Sequence, residues 1–496
     1  MKSPGPAGAV PATARPLLRT AALVGLFALV FAVRLPYLSD SPYGYDSWRQ
    51  SDTEAMARNF TEHRFNVWFP QLNYQGPMPN YAQLELQITT GLIAVLYELF
   101  GYHYPLARLV PILFFMGSAL FVYRIALRHF SPFVAGLSVV LYGLLPLNVL
   151  YSRAIMPESA ALFFYTGAFY WFGEWIARGK RNMLFVSALF TALAVCEKVP
   201  AVFVGIPMVV MVLVKYGWRA AYRPELWAFI ALALLPPFAY YRWLGTVAES
   251  AFVSGIASKH ILPAMASAML AKEAWAFFAA ELPKAFTWCG LGLSLLGFAM
   301  LRLRSHYAIV AWMLAMLAEL ATIVAVIRFN YYLIFIGPLV SLLGAYAVGA
   351  LLERTIRHSR TRLANAAAGL GIAVAVGLAA GESFATVAPV IGRQNADILQ
   401  QAAVVERYAA PEDLVVVGTD DPSLLNASHR AGWRVTNSIP GDPIGELDYF
   451  VREGAAYFAP LKGYIDGDPE GRLKTYLNER YVKLEADTEY YIYKLR

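Results

Sequence analysis

Residues 183–214 read MLFVSALFTALAVCEKVPAVFVGIPMVVMVLV, two apolar runs (183–197 and 200–214) that meet at Glu197 and Lys198. No other acidic or basic residue occurs in the stretch. A bilayer asks for about 20 apolar residues per crossing helix, and a soluble core has no use for so long an uninterrupted supply. Ionisable groups at that depth are costly and usually serve function. The plainer alternative is that two adjacent opposite charges form an ion pair inside the membrane.

Similar runs fill the chain on both sides: 17–36, 107–127, 133–150, 158–177, 226–245, 285–301, 307–327, 331–352 and 364–388. With the two above they make about eleven transmembrane helices. Composition agrees. The 496 residues are 58% hydrophobic and 15% charged, against roughly 25% charged in soluble domains. Mean hydropathy is +0.47. A net charge of +7 would favour nucleic-acid binding in a soluble protein. Here it reads as the Lys and Arg excess of cytoplasmic loops, so no nucleic-acid partner is expected. Cys196 and Cys289 lie inside apolar runs without a CxxC partner or a His cluster. They read as small buried apolar residues, with no disulfide framework or zinc site.

The first run ends in Arg34-Leu35-Pro36 without a small-residue cleavage site, so it reads as a retained span. The run 84–100 (LELQITTGLIAVLYELF) decides orientation. If it does not cross, one side collects Lys2, Arg15, Arg19, Arg124, Arg128, Arg178, Lys180, Arg181, Lys215, Arg219, Arg223, Arg302, Arg304, Arg354, Arg357, Arg360 and Arg362. If it crosses, most of that excess faces outward, against the positive-inside rule. The run is therefore expected to lie at the outer membrane surface, with Gln83, Glu85, Gln87 and Glu98 partly wet. The N-terminus is then cytoplasmic and the C-terminus extracytoplasmic. The Ala-rich apolar composition fits a bacterial inner membrane.

On this topology residues 1–390 form a transmembrane domain and 391–496 an extracytoplasmic one. Two long outer loops follow, 37–106 and 246–284; the second contains Glu249, Lys259, His260, Lys272 and Glu281. The tail reads as a small α/β domain. NADILQQAAVVERYA has helical spacing. DLVVVGTDD, AAYFAP and YYIYKL read as strands. Asp420 and Asp421 fall at a strand end, where α/β domains bind ligands or simply turn. No internal repeat is visible, which weighs against transporters built from repeats.

The first outer loop holds the densest polar group, GYDSWRQSDTEAMARNF, with Asp46 and Asp52 flanking Trp48 and Arg49. Asp52 is expected near the start of a helix, where a carboxylate serves as a base for a hydroxyl proton or as a cap. SRAIMPESAALFF puts Arg153 and Glu158 at another outer end, and IRFNYYLIFIGP puts Arg328, Asn330, Tyr331 and Tyr332 at a third. Each alone also reads as an interfacial anchor. Anchors have no reason to combine a base-like carboxylate with several phosphate-ready cations on one side.

The ordered set WRQSDTEAMARNF, MPESAALFF, LAVCEKVPA and RFNYYLIFIGPLVSLLGAYAV resembles the GT-C membrane glycosyltransferases, and among them glycosyltransferase family 39, which includes protein O-mannosyltransferases and lipid A aminoarabinose transferases. The resemblance covers most of 17–352. It implies a polytopic helical fold with juxtamembrane helices in the first outer loop. It also implies transfer of a sugar from a polyprenyl-phosphate donor to a lipid, glycan or protein acceptor at the outer face. Relatives carry an Asp-Glu pair in the first loop, and this chain does not. By position the resemblance gives the base role to Asp52, with Asp46 second, and a further acidic role to Glu158. Lys198 and Arg328 match positions that bind the carrier phosphate. Arg49 and Arg153 are additional phosphate candidates, and Trp48, Tyr331 and Tyr332 are expected to line the substrate. A divalent metal held by Asp52 and Glu158 is an option, although hard cations usually take more oxygen ligands.

Two other classes compete. A transporter or flippase for an anionic lipid-linked sugar predicts charges along a midplane path and matched halves. Here the charges gather at one face and the halves differ. A scaffold whose tail binds a partner predicts that substituting Asp52 or Lys198 has no consequence.

Overall fold

The computed structural model describes residues 14–358, 361–435, 442–468, 470–485 and 487–496. Lys2 and Arg360, two of the cations assigned to the cytoplasmic side, lie outside the described residues. The first half is a run of helices: α1 (Ala14–Ala32), α2 (Ser47–Glu62), α3 (Ile88–Phe100), α4 (Tyr104–His129), α5 (Pro132–Leu144), α6 (Pro146–Tyr151), α7 (Glu158–Arg178), α8 (Arg181–Glu197), α9 (Gly205–Tyr216) and α10 (Pro224–Val247). Five helical stretches among the described residues are long and apolar enough to cross a membrane: Tyr104–His129, Val199–Tyr222, Leu303–Ile327, Asn330–Thr355 and Ala366–Val387. The remaining expected spans are helical but fall short in length or in apolar content. The run 84–100 contains α3, 13 residues long, which packs with α2 and α4 around Ala57, Phe60, Ile93 and Tyr97.

Local chemistry sets the breaks. Ser131 caps α5 by accepting from Val134 N, and Pro132 occupies the first turn, where its missing N–H costs nothing. Pro146 ends that helix, so the expected span 133–150 is two helices, not one. The expected span 285–301 is also corrected. Helix Lys272–Phe286 turns by 95° into helix Trp288–Ala299, and the turn falls at Thr287, which has φ 62° and caps Gly290. Helix Trp288–Ala299 lies directly against helix Gly337–His358. A Cβ on Gly297 would sit 2.0 Å from the Leu343 carbonyl oxygen, so only glycine permits this approach.

The tail carries the expected elements: a helix at Ala396–Tyr408 and strands over VVVG, YFAP and IYK. The sheet is not the tail's alone. Its strands are β1 (Gln75–Gly76), β2 (Val415–Gly418), β3 (Gly432–Arg434), β4 (Tyr457–Pro460), β5 (Val482–Leu484) and β6 (Ile492–Lys494), in the order β1-β3-β2-β4-β6-β5. The short edge strand β1 comes from the first outer loop and pairs antiparallel with β3. The parallel pairs β2–β3 and β2–β4 form the centre. One hydrophobic cluster joins Tyr43, Met56, Leu72, Tyr74 and Leu84 of the loop to Val415, Val417, Leu424 and Leu425 of the tail. Each large side chain so buried contributes about 1.5–3 kcal/mol. Loop and tail are thus one packed unit seated over the helices.

Candidate active site

α2 begins at Ser47, earlier than the sequence pattern indicated, and this moves both candidate carboxylates. Asp46 precedes the helix in a left-handed conformation (φ 46°) and makes no side-chain capping bond. That backbone costs an L-residue about 1–2 kcal/mol. Asp52 lies inside the helix and is only 2% exposed, so the capping reading of Asp52 is corrected.

Lys198 is placed by a different break. α8 ends at Glu197, Lys198 is extended (φ −152°, ψ 113°), and a 3-10 turn follows at Val199–Val204 with Pro200 in its first turn. Proline disfavours helix in the residue before it, which separates the two helices here. The alternative reading, a Glu197–Lys198 ion pair, does not hold. Lys198 instead makes an ion pair with Glu158 at the start of α7, at 2.6 Å. Its ammonium also lies 4.6 Å from the ring centres of both Tyr331 and Tyr332. Glu197 turns to the N-terminus of α3, where Ile88 N donates to it at 3.3 Å.

These breaks open onto one cavity of about 480 Å³. Asp46, Trp48, Arg49, Asp52, Lys198, Tyr331 and Tyr332 line it. The sequence candidates from three outer ends are therefore brought together. Glu158 acts on the cavity through Lys198. Arg153 does not line it; its guanidinium donates to the Tyr37 carbonyl at 2.7 Å beside a separate small void. Arg328 lines a neighbouring cavity with Lys259 and His260.

The cavity has two chemically different ends. At the Lys198 end, the Tyr151 hydroxyl donates to Asp46 and lies 2.8 Å from Asn330 Oδ1, and its ring meets Tyr331 edge-on. At the other end Asp52 accepts from Asn426 Nδ2 at 2.9 Å and from the Tyr74 hydroxyl at 3.3 Å. Arg49 is paired with Glu85, which raises its pKa against burial, with smaller contributions from Tyr331, Glu158 and Asp52. Burial raises the Asp52 carboxyl to about 7, against the pull of Arg49 and its two donors. Burial also raises Asp46, partly offset by the hydrogen bond from Tyr151. Burial works against Glu85 too, but Arg49 and Lys198 outweigh it and hold Glu85 below the ordinary carboxylate range.

Sequence reading missed Tyr74, Asn426 and Arg434, and it placed Glu85 in a partly wet position, whereas Glu85 is buried and lines the cavity. Arg434 sits 4.7 Å over the Trp48 ring and 4.4 Å over that of Tyr74. Asp421, read as a ligand or turn residue, is a tether: it accepts from Ser47 Oγ at 2.8 Å and from Ser423 N at 2.8 Å. Asp52 and Glu158, the pair considered for a divalent ion, are engaged with Asn426 and Lys198 respectively. Among the described residues no group of three or more His, Cys, Asp or Glu could hold a metal.

Comparison with known proteins bears on the fold. The sequence profile of the family described as dolichyl-phosphate-mannose-protein mannosyltransferase matches residues 89–241. No curated protein sequence matches the chain. ArnT from Cupriavidus metallidurans in the apo state is similar with a TM-score of 0.65 at 14% identity, covering 98% of this chain and 99% of that one. The same protein bound to undecaprenyl phosphate gives 0.62 at 13%, covering 98% of each chain. The oligosaccharyltransferase AglB from Archaeoglobus fulgidus, in complex with an inhibitory peptide and a dolichol-phosphate, gives 0.63 at 10%, covering 97% of this chain and 75% of that one. The chain has the fold of the GT-C glycosyltransferases, resembling family 39, and is an integral membrane protein.

Proposed function

We propose that this protein transfers a sugar from a polyprenyl-phosphate donor to a lipid, glycan or protein acceptor at the outer face of a bacterial inner membrane. It does so with about eleven spans, a cytoplasmic N-terminus and an extracytoplasmic tail. The observation that carries the reading is one cavity with a buried cation, Lys198, at one end and a carboxyl of pKa about 7, Asp52, at the other. The family match and the ligand-bound relatives support it at the level of fold.

The chemistry follows from the two ends. The acceptor oxygen attacks the anomeric carbon, the bond from that carbon to the phosphate oxygen breaks, and polyprenyl phosphate leaves with the bonding pair. The transition state is oxocarbenium-like. Charge gathers on the leaving phosphate, which Lys198, with Arg49 beside it, stabilises. Displacement with inversion puts the acceptor on the side away from the phosphate, which favours Asp52 over Asp46 as the proton acceptor. A carboxyl of pKa about 7 is matched to that task near neutral pH. Glu158 holds Lys198 in place, and Trp48, Tyr331 and Tyr332 supply faces for substrate.

Mass spectrometry of lipids that co-purify with the protein tests the reading. A bound polyprenyl-phosphate sugar, lost in Lys198→Ala, is the expected result and names the sugar. Only bulk phospholipid across several detergents, together with no transfer from added donor, overturns it.

A further inference from the structure

The cations of the active-site cavity have carboxylate partners: Arg49 pairs with Glu85 and Lys198 with Glu158. Arg108 and Arg153 do not, although they are only 3% and 2% exposed. Among the described residues neither forms an ion pair. Arg108, on α4, donates to the carbonyls of Asp40 and Arg153 at 3.0 Å, of Ser41 at 3.1 Å, and to the Gln50 side-chain oxygen at 3.2 Å. Arg153, in the turn between α6 and α7, donates to the Tyr37 carbonyl at 2.7 Å. These acceptors are neutral. Arg108 Nε and Arg153 Nε and Nη1 are buried with no hydrogen-bond partner. Buried charges in proteins are paired, and an unmatched buried donor marks the place of an ion or a water.

Both guanidiniums line one small void. Its volume of about 10 Å³ suits a single occupant of about the size of a water and is too small for a phosphate or a sugar. Asp40 supplies the one carboxylate among the lining residues, and its Oδ2 also has no partner. One carboxylate against two buried guanidiniums leaves one positive charge, which solvent does little to screen. Arg34, fully buried, adds to it from beside Ser152, to which it donates at 2.7 Å. A water satisfies hydrogen bonds but brings no charge. A halide accepts from several N–H donors at once and supplies the missing charge.

Four parts of the chain meet at the void: the segment 37–45 after α1, α2 through Gln50, the membrane helices through Arg108 and Arg153, and the segment 391–394 that leads into the tail. Gly392 and Arg393 are exposed, so the outer solution has access on that side. We propose that Arg108 and Arg153 bind one halide ion, chloride in ordinary salt, and that it pins the first outer loop and the tail to the membrane helices. This binding is independent of the glycosyltransferase reading.

The test uses the full-length protein in detergent, with sodium chloride, bromide and gluconate compared at equal ionic strength. The wild-type melting temperature is expected to be higher in either halide than in gluconate, rising about 1–2 °C for each tenfold increase in halide above its Kd. Arg153→Gln and Arg108→Gln are expected to lose that rise, and Lys198→Ala to keep it. Crystals of the wild type grown in bromide are expected to show an anomalous scattering peak between Arg108 and Arg153, which decides the matter even if neither variant folds. A void without a bromide peak overturns the proposal and makes the occupant a water. A halide effect that persists in both arginine variants overturns it, as does one that Lys198→Ala abolishes, because the ion then binds in the active-site cavity.

Discussion

The two ends of the active-site cavity are built by different parts of the chain. The Lys198 end is made by helix breaks in the membrane region: the α8 terminus, the start of α7 and the segment 330–332, with Asp46 attached through Tyr151. The Asp52 end is made by the loop helix and the tail, through Tyr74 and Asn426. At the first end the partner is a full opposite charge, which favours the ionised form. At the second the partners are neutral donors, and burial prevails. The lesson is that one cavity can hold a fixed cation and a titratable carboxyl by giving each a different kind of neighbour.

The largest expected effect breaks this comparison if it fails. Asp52→Asn removes the base while keeping the shape and the contact with Tyr74, so turnover should fall about 10²–10⁴-fold with carrier binding intact. Asp46→Asn should cost less, since Asp46 belongs to the phosphate end. Transfer assays and carrier titrations on both variants decide it. If Asp46→Asn abolishes turnover and Asp52→Asn does not, the roles of the two ends are exchanged.

Next comes the fixed cation. Lys198→Ala should weaken polyprenyl-phosphate binding about 10–100-fold, or roughly 1.4–2.7 kcal/mol. It also strands the buried Glu158, and breaking a buried pair costs about 3–5 kcal/mol of stability. The double variant Lys198→Met with Glu158→Gln separates the two. Melting temperature in detergent should recover while carrier affinity stays low. Recovery of both would make the pair structural and leave the phosphate without its cation.

The ends also differ in what sequence can show. Glu158, Lys198 and the Tyr331–Tyr332 pair were legible because each sits where an apolar run stops, and a charge at that depth stands out against its surroundings. Their pairing was not legible. Glu197 is adjacent to Lys198 in sequence, but the extended backbone at Lys198 turns the two side chains apart, and Glu158 takes the cation. The helix boundary at Ser47 was missed because α2 lacks a conventional cap: the Asp46 carboxylate goes to Tyr151 and leaves the helix N-terminus to the backbone. The tail strands β2, β4 and β6 were readable from their apolar and aromatic runs, whereas β3 and β5, three residues each, were not. That the sheet borrows Gln75–Gly76 was not, because a two-residue strand carries no periodicity. Asn426 lies more than 370 positions from Asp52, beyond the reach of any local pattern.

The smallest expected effect sharpens the second end. Asn426 donates to the ionised form of Asp52 and so pulls its pKa down against burial. Asn426→Ala removes that pull, and the acid limb of the pH–rate profile, near 7 in the wild type, should move to higher pH. At pH 7 activity should drop about fivefold, with recovery at alkaline pH. The stability signature has a definite sign. A carboxyl raised on folding adds stability below its unfolded pKa of about 4, and that stability is lost as pH rises through the folded value near 7, with the loss extending to higher pH in Asn426→Ala. Ser47→Ala is the control. It cuts another tether between α2 and the tail, the bond to Asp421, without touching Asp52. If the tail only holds the helix down, both variants lose activity by the same factor at every pH. If Asn426 sets the charge of Asp52, only Asn426→Ala moves the limb.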